Sequence, residues 1–573
     1  MPAPRLRTLV PVLAVLACTE SAPTEDTDPV ETGDPLAALE LEEILEVEGE
    51  HMASSEVCYW CHGATTRSQS MRDSLGETVA PWDLWRGTMM ANSARDPLFR
   101  ATLSVEQATF PDRAEAIGQD CMRCHAPAAF AESTLAGGEL PRGDAMMDGD
   151  GLGMLARDGV TCVACHMLDP DSAGQPETWS GHHVYDAERR VYGPHEDPYA
   201  DPMQRFFGYT PVFHENYGQG GMCASCHMLQ TETLGSDGQP TGHVLTEQAP
   251  FVEWRASDFG RDGPTCQECH LLRTDSQGEV LQTPIARSSF GFDDSSLPAR
   301  SPYGRHTIVG GNTFGLQLLH DYRDLLGIFG PGPSIEQALV DTRENLARAA
   351  SLTVDGASLQ GGVLAATVTV HNQTGHKLPT GYPTRRVWLE VEVLDEAGGT
   401  VLHVGAVDAR GRLLGSDGEP LPAERADGPV LGHTSEITSA DGPQVWQSVM
   451  QTPEGAPTSR LLAGASYAKD DRILPRGYRP TGDDIALTAP VGVAGDGEFG
   501  PGQDAVRLRL PVDASGPLTL RLTLRYQAYS PRALDELLAV RTPQTRALEA
   551  MLVDRGVPAE VIATVGVRVG DGG

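Results

Sequence analysis

The chain has 573 residues, with 43 Lys+Arg against 79 Asp+Glu, a formal net charge of −36. That length accommodates two or three domains, and so acidic a surface argues against a protein that grips nucleic acid through its phosphates. Gly and Pro, 63 and 42 residues, point to many turns, and past the N-terminus no run of about 18 apolar residues reads as a membrane-spanning helix.

The chain opens on a targeting pattern. Arg5 and Arg7 precede an apolar run from Leu9 to Ala17 that is too short to cross a bilayer and stops at Val15-Leu16-Ala17-Cys18. This resembles a lipobox, which implies removal of a signal peptide at 1–17 and lipidation of Cys18. Thr19 to Pro35 contains six acidic residues, no basic ones and three prolines. It cannot bury apolar area, so residues 18–50 are expected to form a lipid-anchored, acidic, disordered linker.

Cysteine usage decides the class. Apart from Cys18, the ten cysteines form five C-x-x-C pairs, each followed at once by His: Cys58/Cys61/His62, Cys121/Cys124/His125, Cys162/Cys165/His166, Cys223/Cys226/His227 and Cys266/Cys269/His270. At the Cys and His frequencies of this chain, about 0.006 such motifs would arise by chance. C-x-x-C-H is the attachment signature of c-type haem. Two thiols three positions apart reach the two vinyl groups of one haem, and the next His supplies the proximal nitrogen to iron. Zinc sites do not demand a His after every pair, redox C-x-x-C motifs occur singly, and no cysteine is left for either. The expected cofactors are therefore five covalently attached haems.

Arg157-Asp158-Gly159-Val160-Thr161 before the third motif repeats as Arg261-Asp262-Gly263-Pro264-Thr265 before the fifth. The first cysteines follow one another at 63, 41, 61 and 43 residues, so motifs two and three read as one unit, four and five as a second copy, and motif one as an outlier.

The second axial position of each iron separates electron transfer from catalysis, because a sixth protein ligand closes the metal to substrate. The leading candidates are His183 in Ser-Gly-His-His-Val, His195 in Tyr-Gly-Pro-His, His214 shortly before Cys223, His306 in Arg-His-Thr-Ile-Val, and His376 in Gly-His-Lys-Leu-Pro-Thr-Gly. His51, His182, Met89 and Met90 are weaker ones.

From Ile335 to Ala350 the spacing predicts a helix leading out of the motif region. Beyond Leu352, Val363–Val370, Val387–Leu394 and Leu518–Tyr526 alternate at period two, which predicts an antiparallel, immunoglobulin-like β-sandwich. Ser530–Arg555 reads as helical. The expected organisation is a mainly helical and irregular pentahaem domain at 51–345, followed by a β-domain with C-terminal helices at 346–573. His376 either belongs to a structural cap or reaches from the β-domain onto a haem.

Residues 51–330 resemble multihaem cytochromes of the cytochrome c554 type. The resemblance rests on the five motifs and on flanks such as Trp85-Arg86-Gly87-Thr88-Met89-Met90-Ala91-Asn92-Ser93, Leu229 after Cys-His-Met, and Phe251-Val252-Glu253-Trp254. It implies paired haems, mostly with two His ligands per iron, in electron carriers or in relatives acting on small nitrogen or sulfur compounds. The defining relatives carry four haems, and this chain has no C-x-x-C-K, which pentahaem nitrite reductases use. Asn372–Gly381 and Lys469–Gly477 resemble segments that recur in C-terminal parts of some multihaem cytochromes. The expectation is an exported electron carrier of a respiratory or extracellular chain, lipid-anchored at the periplasm, outer membrane or cell surface of a diderm bacterium, with a redox protein as partner. The alternatives are a haem oxidoreductase with one open iron, and a subunit docked on a respiratory complex.

Overall fold

The computed structural model describes residues 34–138, 147–149, 151–328, 333–514 and 516–569. The signal peptide, Cys18 and residues 19–33 of the expected linker lie outside the described residues. The part of the expected linker that is described does not behave as one. Pro35–Leu39 forms a 3-10 turn whose Leu39 is fully buried. Arg100 donates to the Leu39 carbonyl at 2.7 Å, and Leu41 N–H to that of Leu325 at 2.9 Å. Glu132 then accepts the backbone N–H groups of Glu50, His51 and Met52. The acidic composition of 34–50 hid the apolar residues that dock it.

The motif region consists of short helices joined by long loops. Each motif closes a helix and places its His on the last residue: Ser55–His62, Ala114–His125, Cys162–His166, Gly221–His227 and Cys266–His270. The sequence repeat has a local cause. Thr161 and Thr265 cap the third and fifth of these helices, the latter in a reciprocal capping box with Glu268, which satisfies N–H groups a one-turn helix would otherwise leave bare.

The β-region holds two sheets. One has seven strands, in the order Pro457–Thr458, Val445–Gln451, Arg386–Leu394, Leu518–Gln527, Glu560–Val569, with Thr400–Val404 and Ser466–Asp470 paired off this path. The other runs Glu436–Ile437, Gln503–Pro511, Val363–Asn372, Ala350–Gln360. All these pairings are antiparallel except Glu436–Ile437 with Gln503–Pro511, a departure from the expected all-antiparallel arrangement. The alternation read from Val363 is realised as strict burial of every second residue. Arg386–Leu394, by contrast, is buried on both faces over most of its length.

Leu364, Val368 and Leu508 of the smaller sheet share one core with Val391, Leu520 and Leu522 of the larger. The same core takes in the helices Pro97–Thr109, Thr313–Asp321, Pro333–Ala347 and Pro543–Met551. Helices from the motif region thus complete the packing of the β-region, and each fully buried Leu or Val contributes about 1.5–3 kcal/mol. The helix predicted from Ile335 is Pro333–Ala347. Ser530–Arg555 divides into two helices, Pro531–Ala539 and Pro543–Met551, because Pro543 starts a new one. Among the described residues, no helix is long and apolar enough to cross a membrane.

Candidate functional site

The five short helices bring their cysteines together in an order the sequence does not follow. Among the ten motif cysteines there is no disulfide. Cys58 lies beside Cys162 and Cys223 beside Cys266, and the Cys124 and Cys226 sulfurs are within 4.8 Å of each other. Motif one therefore meets motif three, motif two meets four, and four meets five, so motif one is not an outlier in space. The one–three contact is built by backbone and side chain together. Asp158, in the repeated Arg-Asp-Gly segment, accepts from Ser55 N–H at 2.6 Å, and Ser55 Oγ accepts from Cys162 N–H at 3.1 Å. Burial raises Cys61, Cys121, Cys165 and Cys269, with Cys165 pushed up to about 12.

The motif histidines are prepared as metal ligands. Nδ1 donates to a backbone carbonyl in four of them: His62 to Ile285 at 2.9 Å, His125 to Ser93 at 2.9 Å, His166 to Tyr192 at 2.7 Å and His270 to Val309 at 2.6 Å. A carbonyl only accepts, so the proton sits on Nδ1 and Nε2 keeps its lone pair for a metal. Burial lowers the basicity of all five, His227 included, so they remain neutral.

Two of the motif histidines face a second imidazole. The ring centres of His166 and His306 are 6.4 Å apart with planes at 27°, and those of His270 and His376 are 6.4 Å apart at 21°. His306 and His376 also donate Nδ1–H to carbonyls, of Gly304 at 3.1 Å and Lys377 at 2.9 Å. Burial lowers the pKa of each to about 4. An iron between two imidazoles, at about 2 Å per metal–nitrogen bond, separates the ring centres by roughly 6 Å. The residues present thus fit a haem iron held by His166 with His306, and another held by His270 with His376.

The other sequence candidates are placed differently. His183 sits between motifs two and four, its Nε2 3.0 Å from the Arg123 carbonyl and 3.7 Å from Cys226 Sγ, and its Nδ1 is buried without a partner. His195 is half-buried near Arg300. His214 lies behind the third motif: its ring meets Tyr192 edge-on at 6.2 Å, Nδ1 accepts from Asn216 N–H, and Nε2 is 3.4 Å from Asp171. The structure uses it as the cap of the turn Glu215–Gly218. His182 lies between the Trp179 carbonyl and Arg123, and His51 has a buried Nδ1 without a partner. Met89 and Met90 pack into hydrophobic clusters.

His376 comes from the β-region, and a buried ion network holds its loop. Lys377 Nζ lies 2.6 Å from Asp470, Arg472 binds Asp470 at 2.7 Å and reaches Glu253 at 3.2 Å, and Glu253 accepts from Lys377 N–H at 3.1 Å and from Thr380 Oγ1 at 2.6 Å. Two cations and two anions balance, which is what makes such a cluster tolerable without water. Gly375 permits the approach, since a Cβ there would stand 2.9 Å from the Trp254 ring. Glu253 was not among the sequence candidates, although Phe251-Val252-Glu253-Trp254 contains it. A carboxylate between apolar residues was the available signal. A pocket of about 550 Å³ is lined by Trp179, Gln230, Arg255, Arg479 and Asp484 among others, and by no motif residue.

No protein-family model and no curated protein matches the chain. Among solved structures it is similar to the crystal structure of a penta-heme cytochrome c552 from Thermochromatium tepidum, with 15% identity and a TM-score of 0.49, over 91% of this chain and 100% of that one.

Proposed function

We propose that the chain is a multihaem c-type cytochrome that moves electrons through five covalently attached haems. The observation that carries this reading is the pair of imidazole couples on motif histidines, each 6.4 Å apart and each with Nδ1 held by a carbonyl. The thiols of each C-x-x-C pair would anchor one haem, and the five motif histidines would be the proximal ligands. When bound, each haem supplies a one-electron iron couple. The chain's own part is to fix the imidazole tautomers, to close the irons of motifs three and five with His306 and His376, and to set the cofactors side by side. The adjacency of motif one with three, two with four and four with five supports electron passage between those neighbouring haems. For the remaining irons, His183 and His195 are the distal candidates we favour.

The N-terminal pattern supports export and a lipid anchor on Cys18 at the periplasm, outer membrane or cell surface. The acidic surface supports a basic redox partner. The two packed sheets support an immunoglobulin-like β-domain, and the motif flanks a cytochrome c554-like arrangement.

Electron paramagnetic resonance of the oxidised, haem-loaded protein, with and without cyanide or nitrite, tests the proposal. Low-spin signals indifferent to added ligand are expected of a carrier. A high-spin signal that shifts on adding ligand would instead identify an open iron and an oxidoreductase.

A further inference from the structure

Far from any motif cysteine in the sequence, the β-region contains a second cluster of metal-ligating groups. His433 Nε2 lies 3.0 Å from Asp496 Oδ2 and 4.0 Å from Asp504 Oδ2. The three ligand atoms are all within 4.8 Å of one another. The side chains are 4%, 6% and 0% exposed, so this is not a solvated acidic patch.

Three features distinguish the cluster from an ordinary ion pair. First, His433 is oriented from behind: Nδ1 is 3.0 Å from Asp471 Oδ2, and Asp471 is itself held by Lys469 Nζ at 3.1 Å and Gln444 Nε2 at 2.9 Å. A carboxylate on Nδ1 leaves Nε2 as the ligand atom and raises its basicity, an arrangement characteristic of histidines that bind metal. Second, the Asp504 carboxylate is incompletely used. Oδ2 accepts from Trp446 Nε1 at 2.7 Å, while Oδ1 is buried with no hydrogen-bond partner. A buried carboxylate oxygen without a partner is costly in a folded protein. Third, the charges do not balance locally. Lys469 offsets Asp471, but Asp496 and Asp504 converge on a single imidazole.

We propose that His433, Asp496 and Asp504 form a binding site for a divalent transition-metal ion of the zinc class, with Asp471 as the residue that positions the imidazole. One nitrogen and two carboxylate oxygens make a ligand set that Zn²⁺ accepts, with bonds of about 2.0–2.2 Å that hold ligand atoms roughly 3–4 Å apart. The dication offsets the two carboxylates and leaves a fourth position for water. The proposal is independent of the haem reading.

The test uses the full-length, haem-loaded protein, stripped with a chelator, desalted and titrated with Zn²⁺, with zinc and iron counted together by mass spectrometry. The expected result is one tight zinc per chain in the wild type that His433→Ala and Asp504→Asn both lose, and affinity about 10–100-fold weaker in Asp471→Asn. Equal uptake by wild type and variants would assign the zinc to haem propionates or thiols and overturn the proposal, as would no uptake. Should the variants fail to fold, wild-type crystals soaked in Zn²⁺ decide. An anomalous peak at the zinc edge between the three side chains supports the site, and its absence there refutes it.

Discussion

The motif region and the β-region are held together by different means. The β-region has one continuous apolar core in which Leu520, Leu522, Leu524, Val391 and Val393 are wholly excluded from water. Away from the helices it lends to that core, the described residues of the motif region form separate clusters, one built largely of Ala and Met around Met122 and Leu155 and smaller ones such as Val79 with Leu84, Leu281 and Tyr303. Its long loops are joined instead by carboxylates and carbonyls that bind N–H groups far away in sequence, as with Asp158 on Ser55 and Glu132 on residues 50–52. With its apolar clusters divided and its loops long, the motif region is expected to depend on bound haem for cohesion, and the β-region is not.

The largest effect should come from withholding haem. Chain produced without haem attachment is expected to be cut by protease throughout the loops between Cys58 and Cys266, while far-ultraviolet circular dichroism retains its strand signal. Protection of those loops in the haem-free chain would break the distinction.

Next comes the ion network that joins the two regions. Lys377→Met leaves Asp470 facing Arg472 alone and should cost about 3–5 kcal/mol in denaturant unfolding. It should also free the loop of His376, adding a high-spin signal in resonance spectra. A variant as stable as wild type, with unchanged spectra, would remove the network from the account. By contrast, Leu522→Ala should cost about 2–5 kcal/mol and leave the haem spectra alone.

A smaller effect sharpens the contrast through pH. Burial raises Asp158 from 3.8 to about 7 and Glu247 from 4.5 to about 7. Between about pH 4 and 7 the folded chain keeps protons on these groups that the unfolded chain has lost, so their contribution to stability falls as pH rises through that window. In the β-region, Arg472 and Lys377 hold Asp470 well below the usual carboxylate range despite its burial. Its contribution is present above the unfolded value and is lost only as acid is added. Unfolding midpoints of the haem-loaded protein from pH 4 to 7 should therefore show a decline that Asp158→Asn and Glu247→Gln both flatten. A slope unchanged in the double variant would assign it to other groups.

The smallest expected change is Gly375→Ala, about 1 kcal/mol or more depending on how far Trp254 can shift. Thermal unfolding followed at the haem bands measures it.

Signals that depend on a few adjacent residues were legible without coordinates. The C-x-x-C-H helices, the strands from Val363 and Leu518, and the helix from Ile335 each rest on spacing within one turn or one pleat. The strand Glu560–Val569 is harder to read, although Val561 to Val569 carries several β-branched residues, because Gly566 and Arg568 interrupt its apolar pattern. The 34–50 segment was misread because its charge outweighs the few residues, Leu39 above all, that anchor it.

By itself, the sequence determined the chemistry of the five motifs, since thiol, thiol and imidazole must lie within one helical turn to serve one cofactor, and that turn is a local structure. Only the tertiary structure decided which motifs are neighbours, which histidine stands opposite which, and that Glu253 and Asp470 tie His376 in place. Those relations join residues separated by scores or hundreds of positions. Their partners are chosen by how buried surfaces and charges can be satisfied together, which no short window of sequence contains.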